Sequence, residues 1–436
     1  MNFQESYNWL LSLSNMPRKE YMNDPRKCEW YLLRLQFFLN MLGNPEKKIP
    51  HYIHVTGTSG KGSTVAFLHN ILHASGKKVG STYSPHPSTI LERWKIGNRY
   101  MSKKEFVDII KIIKPKLDLY SAKTPYDMLS FFELTEVIGF VFFVRKKITH
   151  AVLEVACGGR YDASNIIPRK DIAIITNIGR DHIGIIGNNI QEIAYEKAGI
   201  IKKGSVVFTQ EKNKAILDII KNESEKTNAF FKPIKFEYKI LQHTIEQTIF
   251  EYKKNLYTLY QPGEHQIKNA ILCIEVSQQL GIEIPKIKKG LAKTSQPLRM
   301  EIVSHKPLLI LDGAHNEDKI KSSVAALQLI QKPNQQIHLV VGFSADKQIT
   351  KLVKLLATLK PASIAVTRNT VNPFRKVADP QDIRNKFKKL LPHTKFHIFL
   401  DPLDALKWSK KQAEKNDIIL STGSIFVSGE IRSKIK

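Results

Sequence analysis

Residues 53–64 read I-H-V-T-G-T-S-G-K-G-S-T, and they limit the possible folds more than any other stretch of the chain. The β-branched Ile53 and Val55 give way to a loop in which Gly57, Gly60 and Gly62 surround Lys61, and an apolar-periodic run (Val65, Phe67, Leu68, Ile71, Leu72) follows at once. Strand, glycine loop and helix in that order are the start of a βαβ unit. Glycines let backbone N–H groups curl around an anion, and the helix N-terminus adds the positive end of its dipole. Lys61 supplies a mobile charge for the outer phosphates. The standard phosphate-loop pattern G-x-x-x-x-G-K-[ST] would need Gly at position 55 and Ser or Thr at position 62; Val55 and Gly62 stand there, leaving the tighter G-x-x-G-K-G-[ST]. A turn before a helix with no ligand is the plain alternative. The lysine and the strand–loop–helix context favour phosphate.

At 436 residues the chain exceeds one ordinary core and is expected to form two or three domains. Apolar runs such as 137–144 are too short to span a bilayer, and the polar start, residues 1–7, does not read as a signal peptide. Cys28, Cys157 and Cys273 are far apart and form no C-x-x-C pair, which argues against a disulfide scaffold or zinc ribbon and fits a cytoplasmic protein. The net charge of +27 invites a nucleic-acid reading. The lysines are scattered over the whole chain, however, and no aromatic-interleaved RNA motif accompanies them. A solvated lysine-rich surface, or a basic cleft that attracts ATP and a polycarboxylate, accounts for the charge equally well.

Strands are expected at 53–56, 79–83, 151–155, 172–176 and 206–209. Helices are expected after Gly62 and at 103–117, 131–145 and 190–200, with Ser102 and Glu105 forming a capping box. This alternation implies a mostly parallel sheet covered on both faces. Residues 236–260 change to short β-prone runs, expected as antiparallel strands at that sheet's edge, and 263–280 return to helix. From about residue 300 a second α/β rhythm begins. Its strands are expected at 308–311, 338–341, 364–366, 397–400 and 418–420, and its helices near 324–330, 350–359, 380–391 and 403–414. The second half has no phosphate loop of its own and reads as a Rossmann-like partner domain, with the active site expected in the cleft between the two.

Two further loops carry chemistry. Residues 153–165 read L-E-V-A-C-G-G-R-Y-D-A-S-N, placing Glu154 at the end of a strand that reads as buried, where a carboxylate is costly unless paired or bound to a metal. A solvated strand end is the bland reading; a Mg²⁺ or substrate ligand at the C-terminal edge of a parallel sheet is the functional one. Residues 176–187, T-N-I-G-R-D-H-I-G-I-I-G, put Asp181 and His182 in a glycine-rich loop after the next strand. Mg²⁺ prefers oxygen ligands, so a histidine ligand needs separate support.

Taken together, these segments resemble the folylpolyglutamate synthase/dihydrofolate synthase family of the Mur ligase superfamily. The family's G-T-x-G-K-G-[ST] stands at 57–64, S-P-H at Ser84–His86 with Glu92–Arg93 after it, and E-V-x-x-G-G-R-x-D-A-[ST]-N at 154–165. G-x-D-H stands at 179–182, E-K-A-G-I at 196–200, H-Q-x-x-N-A at 265–270, P-x-R-x-E at 297–301 and D-G-A-H-N at 312–316. G-x-x-x-D-K stands at 342–347 and T-G-S…G-E between Thr422 and Glu430. The motifs keep their order and cover roughly residues 40 to 431.

The resemblance implies an α/β protein: a Mur-ligase-like ATP-binding domain (1–298) with a mostly parallel sheet and a pterin-site N-terminal segment, then a Rossmann-like glutamate ligase domain (299–436). It implies that Ser59, Gly60, Lys61, Gly62 and Ser63 hold ATP phosphates and that Asn269, Arg299 and Asp312 contact the nucleotide. Ser84, Glu154 and His182 would bind Mg²⁺, and Lys197 resembles the family lysine that is carbamylated to help place a metal. An ordinary helix-surface lysine is the alternative there. His315 and Ser424 would hold the incoming glutamate, and Phe132, Arg160 and Asp162 the substrate. The reaction implied is ATP-dependent joining of L-glutamate to a dihydropteroate or tetrahydrofolate carboxylate through an acyl phosphate. A cytoplasmic monomer is expected, with small-molecule partners and neither membrane nor nucleic acid. A Mur-type ligase for another acid and amino acid is the nearest alternative; a basic ATPase binding nucleic acid leaves E-K-A-G-I and D-G-A-H-N unexplained. The chain departs from the family at Ser59 (often Asn), Ala156–Cys157, Pro87, Leu298 (often Gly) and Glu136 (often Thr).

Overall fold

A computed structural model describes residues 1–16, 27–179, 184–244, 246–371 and 376–435. Two compact units emerge: Met1–His86, Ile90–Glu237 and Lys268–Thr294 form the first, and Pro87–Thr89, Tyr238–Ile267 and Ser295–Lys436 the second.

The strands of the first unit are β1 (His51–Thr56), β2 (Val79–Thr82), β3 (Trp94–Ile96), β4 (Arg99–Tyr100), β5 (His150–Glu154), β6 (Ile172–Ile175), β7 (Val206–Thr209) and β8 (Phe230–Phe231). They form one sheet in the order β4-β3-β2-β5-β1-β6-β7-β8, parallel from β2 to β8, with the antiparallel β3 and β4 at one edge. Helices α1 (Phe3–Ser12), α2 (Trp30–Met41), α3 (Lys61–Ala74), α4 (Lys103–Lys123), α5 (Phe131–Arg145), α6 (Ile190–Ala198) and α7 (Lys214–Lys226) accompany it. The central strands are buried along nearly their whole length, as a parallel sheet covered by helices on both faces requires. Helix α5 begins and ends where its sequence pattern predicts, with Ser130 and Glu133 exchanging both capping bonds. Helix α4 starts at the expected capping box but runs past 117 despite Pro115, to Lys123. Tyr120, in its last turn, is buried edge-on against Phe37 and Phe38 and donates to the Asp127 carbonyl, so packing outweighs the proline.

The expectation for 236–260 needs correction. β9 (Tyr238–His243), β10 (Thr248–Tyr252) and β11 (Asn255–Leu259) are antiparallel, but they form their own sheet, β11-β10-β9, within the second unit. The Lys232 N–H still donates to the Val207 carbonyl, and Pro233, which has no N–H, follows at the end of β8. After them comes α8 (Glu264–Gln279), and then α9 (Ile284–Ala292), which packs on α3 so closely that a Cβ at Gly290 would meet the Ile71 backbone at 2.4 Å.

The rest of the second unit contains β12 (Glu301–His305), β13 (Leu308–Leu311), α10 (Glu317–Ile330), β14 (Ile337–Val341), α11 (Ile349–Ala357), β15 (Ser363–Val366), α12 (Pro380–Leu390), β16 (Lys395–Ile398), α13 (Pro402–Gln412), β17 (Ile418–Thr422) and α14 (Ile425–Ile435). Their sheet runs β12-β13-β17-β14-β15-β16, parallel except for β12. The strand expected at 397–400 starts two residues earlier, in register with β15. Among the described residues no helix is long and apolar enough to cross a membrane.

Candidate active site

Four neighbouring strands, β2-β5-β1-β6, bring their C-terminal ends together, the edge at which parallel α/β sheets bind ligands. The glycine loop follows β1, Glu154 closes β5, Ser84 follows β2, and Thr176 and Asn177 follow β6. The last pair clasps the loop. Ser59 N–H donates to Asn177 Oδ1 (2.8 Å), Thr58 N–H to the Asn177 carbonyl (2.8 Å), and Thr176 Oγ1 to the Ser59 carbonyl (2.6 Å). Gly60 then takes a left-handed φ of +84° as the residue before α3, and having no side chain it offers the helix no side-chain cap. The N-terminal turn of α3 is thereby open to an anion. Ser59 Oγ is buried there without a hydrogen-bond partner among the described residues, a group that a phosphate oxygen suits. A Cβ on Gly60 would meet Asn269 Oδ1 at 2.6 Å, so Asn269 stands directly against the loop, where Gln210 Nε2 donates to it.

Two lysines converge on one carbonyl. Lys61 Nζ donates to Gly57 O at 2.8 Å and the buried Lys197 Nζ, from α6, at 3.2 Å. The E-K-A-G and G-G-R motifs interlock to hold Lys197 there: Arg160 N–H donates to the Glu196 carbonyl, and a Cβ on Gly199 would lie 2.3 Å from Arg160 Cβ. Arg160 itself stacks over Tyr195 (4.1 Å) and pairs with Glu223 (2.8 Å). Asp162 is engaged by the turn that carries it. It accepts from the N–H groups of Ala156, Cys157 and Ser164 and from the Ser164 hydroxyl. Ser164 Oγ continues to His54 Nε2 (2.8 Å), and His54 Nδ1 to the buried Lys170 Nζ (2.8 Å), a chain the motifs do not announce.

Glu154 is buried, and its Oε2 accepts the Ser84 N–H at 3.1 Å. The Ser84 hydroxyl and the Glu154 carboxylate are hard oxygen donors at adjacent strand ends, which suits a Mg²⁺ ion that completes its shell with water and phosphate oxygens. His182, the third expected ligand, lies outside the described residues. Among the described residues no three His, Cys, Asp or Glu side chains are grouped to hold a metal by themselves.

Beside this pair lies a side chain that the motifs include but to which they assign no role. Arg93 is buried, donates from Nε to His86 Nδ1 (3.2 Å), and lies 5.8 and 5.9 Å from the Phe131 and Phe132 rings. Burial lowers its pKa, opposed by the charges of Glu136, Glu154 and Tyr7. Burial, and then the Asp162 charge, pushes the Glu136 carboxyl up to about 8. Burial and the Arg93 charge hold His86 neutral, down to about 3. Phe132 itself is exposed.

In the second unit the adjacent strands β13 and β17 carry the remaining candidates. Asp312 is buried and accepts from Ser323 Oγ (2.5 Å), with Met300 and Ala314 N–H groups at 3.4 Å; burial raises its pKa, and the Arg299 charge is among the opposing influences. Arg299 donates to the Leu298 carbonyl (3.1 Å), and Leu298 has a φ of +55°, the conformation that suits the glycine often found at that place in the family. His315 donates from Nδ1 to Gly313 O (2.9 Å) and faces Lys319 Nζ through Nε2 (3.3 Å), while burial, then Lys319, hold it neutral. Ser424 is buried after β17, its Oγ accepting the Phe426 N–H. The structure thus gathers Ser59, Gly60, Lys61, Gly62, Ser63, Asn269, Lys197, Ser84 and Glu154 in one unit, and Arg299, Asp312, His315 and Ser424 in the other.

This chain matches the Mur ligase middle domain over residues 55–277 and the Mur ligase glutamate ligase domain over residues 298–425. It is 31% identical over 421 residues to dihydrofolate synthase/folylpolyglutamate synthase of Bacillus subtilis, covering 92% of this chain and 94% of that protein. The chain belongs to the folylpolyglutamate synthase/dihydrofolate synthase family of Mur ligases. A crystal structure of the family, folylpolyglutamate synthase of Thermotoga maritima, matches with a TM-score of 0.83 at 28% identity, over 99% of this chain and 97% of that one. Another family member, from Mycobacterium tuberculosis and complexed with ADP and AMPPCP, matches with a TM-score of 0.86 at 24% identity, a likeness of fold.

Proposed function

We propose that this chain is an ATP-dependent ligase that joins L-glutamate to the carboxylate of a folate, dihydropteroate or a tetrahydrofolate polyglutamate. The observation that carries the reading is the convergence of Lys61 and Lys197 on the carbonyl of Gly57, beside the open N-terminal turn of α3 and the buried Ser59 hydroxyl. That is a cradle for a triphosphate whose last phosphoryl group leaves.

A carboxylate is a poor acylating agent. Its oxygen attacks the γ-phosphorus of ATP, the bond to the β-phosphate bridge breaks, and an acyl phosphate results. The amine of glutamate then attacks the acyl carbon, and inorganic phosphate departs with the attacking oxygen. The α3 N–H groups and Lys61 orient the phosphates and offset the charge spreading over the transferring group. Mg²⁺, held by Ser84, Glu154 and His182, would supply further neutralisation of the phosphate oxygens. Lys197, carbamylated, would add an anionic ligand on that side. His315, neutral and with Nε2 beside Lys319, and Ser424 orient the incoming glutamate. Phe132, Arg160 and Asp162 serve the acceptor; Asp162 does so by shaping the turn, because its oxygens already accept four hydrogen bonds. Asn269, Arg299 and Asp312 serve the nucleotide. No protein nucleophile takes part.

We assign residues 1–298 to ATP and folate and 299–436 to glutamate; the observed units support this division apart from 87–89, 238–267 and 295–298, which belong to the second. The enzyme is taken to act as a monomer in the cytoplasm; that Cys28, Cys157 and Cys273 form no disulfide supports the compartment. Purified protein incubated with ATP, Mg²⁺, glutamate and either dihydropteroate or tetrahydrofolate should yield acceptors extended by glutamyl units in the mass spectrum. Failure to extend either acceptor refutes the assignment.

A further inference from the structure

Glu136 lies on α5 one turn after Phe132, so the two side chains share a face of the helix. Phe132 is 46% exposed, and the Arg93 guanidinium lies 5.9 Å from its ring. Three residues farther along the stripe, Gly139 lets the helix close on Trp94 and Thr82, and the Thr82 hydroxyl accepts the Glu154 N–H. The stripe therefore leads from an exposed aromatic ring, past Glu136, to the strand ends bearing Ser84 and Glu154.

Glu136 is 7% exposed, and its Oε2 is buried with no hydrogen-bond partner among the described residues. Native structures retain few such groups, because a buried acceptor that gives up water and gains nothing destabilises the fold. Its helix neighbours Leu134, Val137 and Phe140 are buried and apolar, so an apolar residue at 136 would pack at no such cost. Arg93 does not relieve it by a direct bond: among the described residues the hydrogen bond from Arg93 goes to His86. An unsatisfied acceptor and a guanidinium donor thus stand together next to an aromatic face.

We propose that Glu136 is a specificity-determining residue for the acceptor, its carboxyl receiving an N–H of the nitrogen heterocycle that stacks on Phe132. The complementary ligand is an amino-oxo pyrimidine edge, with an amino group and ring N–H for Glu136 and a carbonyl for Arg93. In either protonation state the Glu136 carboxyl keeps an accepting oxygen. The inference rests on the folate reading above, since it takes the head of the acceptor to be a pteridine. A purely structural Glu136, satisfied by a trapped water, is the alternative.

The test compares dihydropteroate with its analogue lacking the exocyclic amino group, in wild type and in Glu136→Ala. Wild type is expected to favour the amino-bearing acceptor by about 10- to 100-fold in kcat/KM, as for a hydrogen bond to a charged or otherwise unsatisfied partner. In Glu136→Ala that preference should fall to within about threefold, with KM for ATP and for glutamate changed less than about twofold, since this contact is made to the acceptor alone. Should the alanine variant fail to fold, Glu136→Met fills the space without a polar atom and is expected to behave the same way. An undiminished preference in the variant overturns the proposal and leaves the ligase assignment standing. Wild type that extends neither acceptor overturns the ligase assignment and the proposal with it.

Discussion

Replacing Gly60 with alanine perturbs the loop by an amount the geometry sets. At φ +84° the new Cβ would stand 2.6 Å from Asn269 Oδ1. A left-handed backbone costs a non-glycine residue about 1–2 kcal/mol. Relieving the contact means turning Asn269 away, which breaks the 2.7 Å bond from Gln210, a loss of about 0.5–1.5 kcal/mol. Together these come to about 1.5–3.5 kcal/mol. If the loop relaxes when empty and must resume its shape around phosphate, ATP affinity falls by roughly 10- to 400-fold. Calorimetric titration with a non-hydrolysable ATP analogue measures this directly. A second variant separates the two contributions, because Asn269→Ala removes the close atom and leaves only the backbone part. Gly60→Ala should therefore cost less in the Asn269→Ala background than in wild type. Binding of the analogue by Gly60→Ala within about twofold of wild type would show that the loop does not hold the phosphates, since the cost above exceeds 1 kcal/mol.

Three further outcomes follow from buried groups. His69 is fully buried, accepting from Ser81 through Nδ1 and donating from Nε2 to Gly97 O, and burial lowers its pKa to about 3. The folded state then binds fewer protons than the unfolded one between about pH 6.5 and 3, so stability is greatest above that window and falls as the pH drops through it. Urea melts at pH 7, 6 and 5 should show His69→Gln losing about 1.4 kcal/mol less per pH unit than wild type below pH 6, and parallel slopes would contradict the assignment. Arg34 is buried and pairs with Glu133 (2.6 Å) and Asp127 (3.1 Å), tying α2 to α5, so Arg34→Met should cost about 3–5 kcal/mol by stranding both carboxylates. Unchanged thermal unfolding of that variant would refute the pairing. Leu298→Gly relieves a positive φ worth about 1–2 kcal/mol but empties a fully buried site at a cost of about 3–5 kcal/mol, so a net loss of about 1–4 kcal/mol is expected on denaturation. A gain in stability would mean that backbone strain outweighs packing there.

How much of this was legible in the sequence depends on the range of the forces involved. Helix α5 could be placed to the residue because its cap and its apolar run are local. The parallel strands of the two large sheets other than β8 could be placed because β-branched runs between turns have few alternatives, whereas the short strands β3, β4 and β8, and the antiparallel β12, were not. The family resemblance brought Ser84 and Glu154 into one hypothesis although they are 70 residues apart, and the parallel pairing of β2 with β5 is what makes them neighbours. The exceptions are tertiary. Nothing local says that β9 to β11 leave the large sheet, or that Tyr120 carries α4 past a proline. Helices α1 and α2 went unread although Asn2 and Glu5 form a capping box, because α2 is held by the Arg34 pairs more than by its own pattern. Arg93, Glu136 and the chain from Asp162 to Lys170 share no sequence spacing. They meet only when helix and sheet pack, and Glu136 is visible beforehand only as a departure from the family pattern.

The central claim is that ATP activates a carboxylate for attack by glutamate, and the fate of one oxygen tests it. Acceptor carrying oxygen-18 in the reacting carboxylate is incubated with the enzyme, ATP, Mg²⁺ and glutamate, and the released inorganic phosphate is analysed by mass spectrometry. The account predicts one heavy oxygen in the phosphate for each amide bond formed. Amide formation with unlabelled phosphate would contradict it.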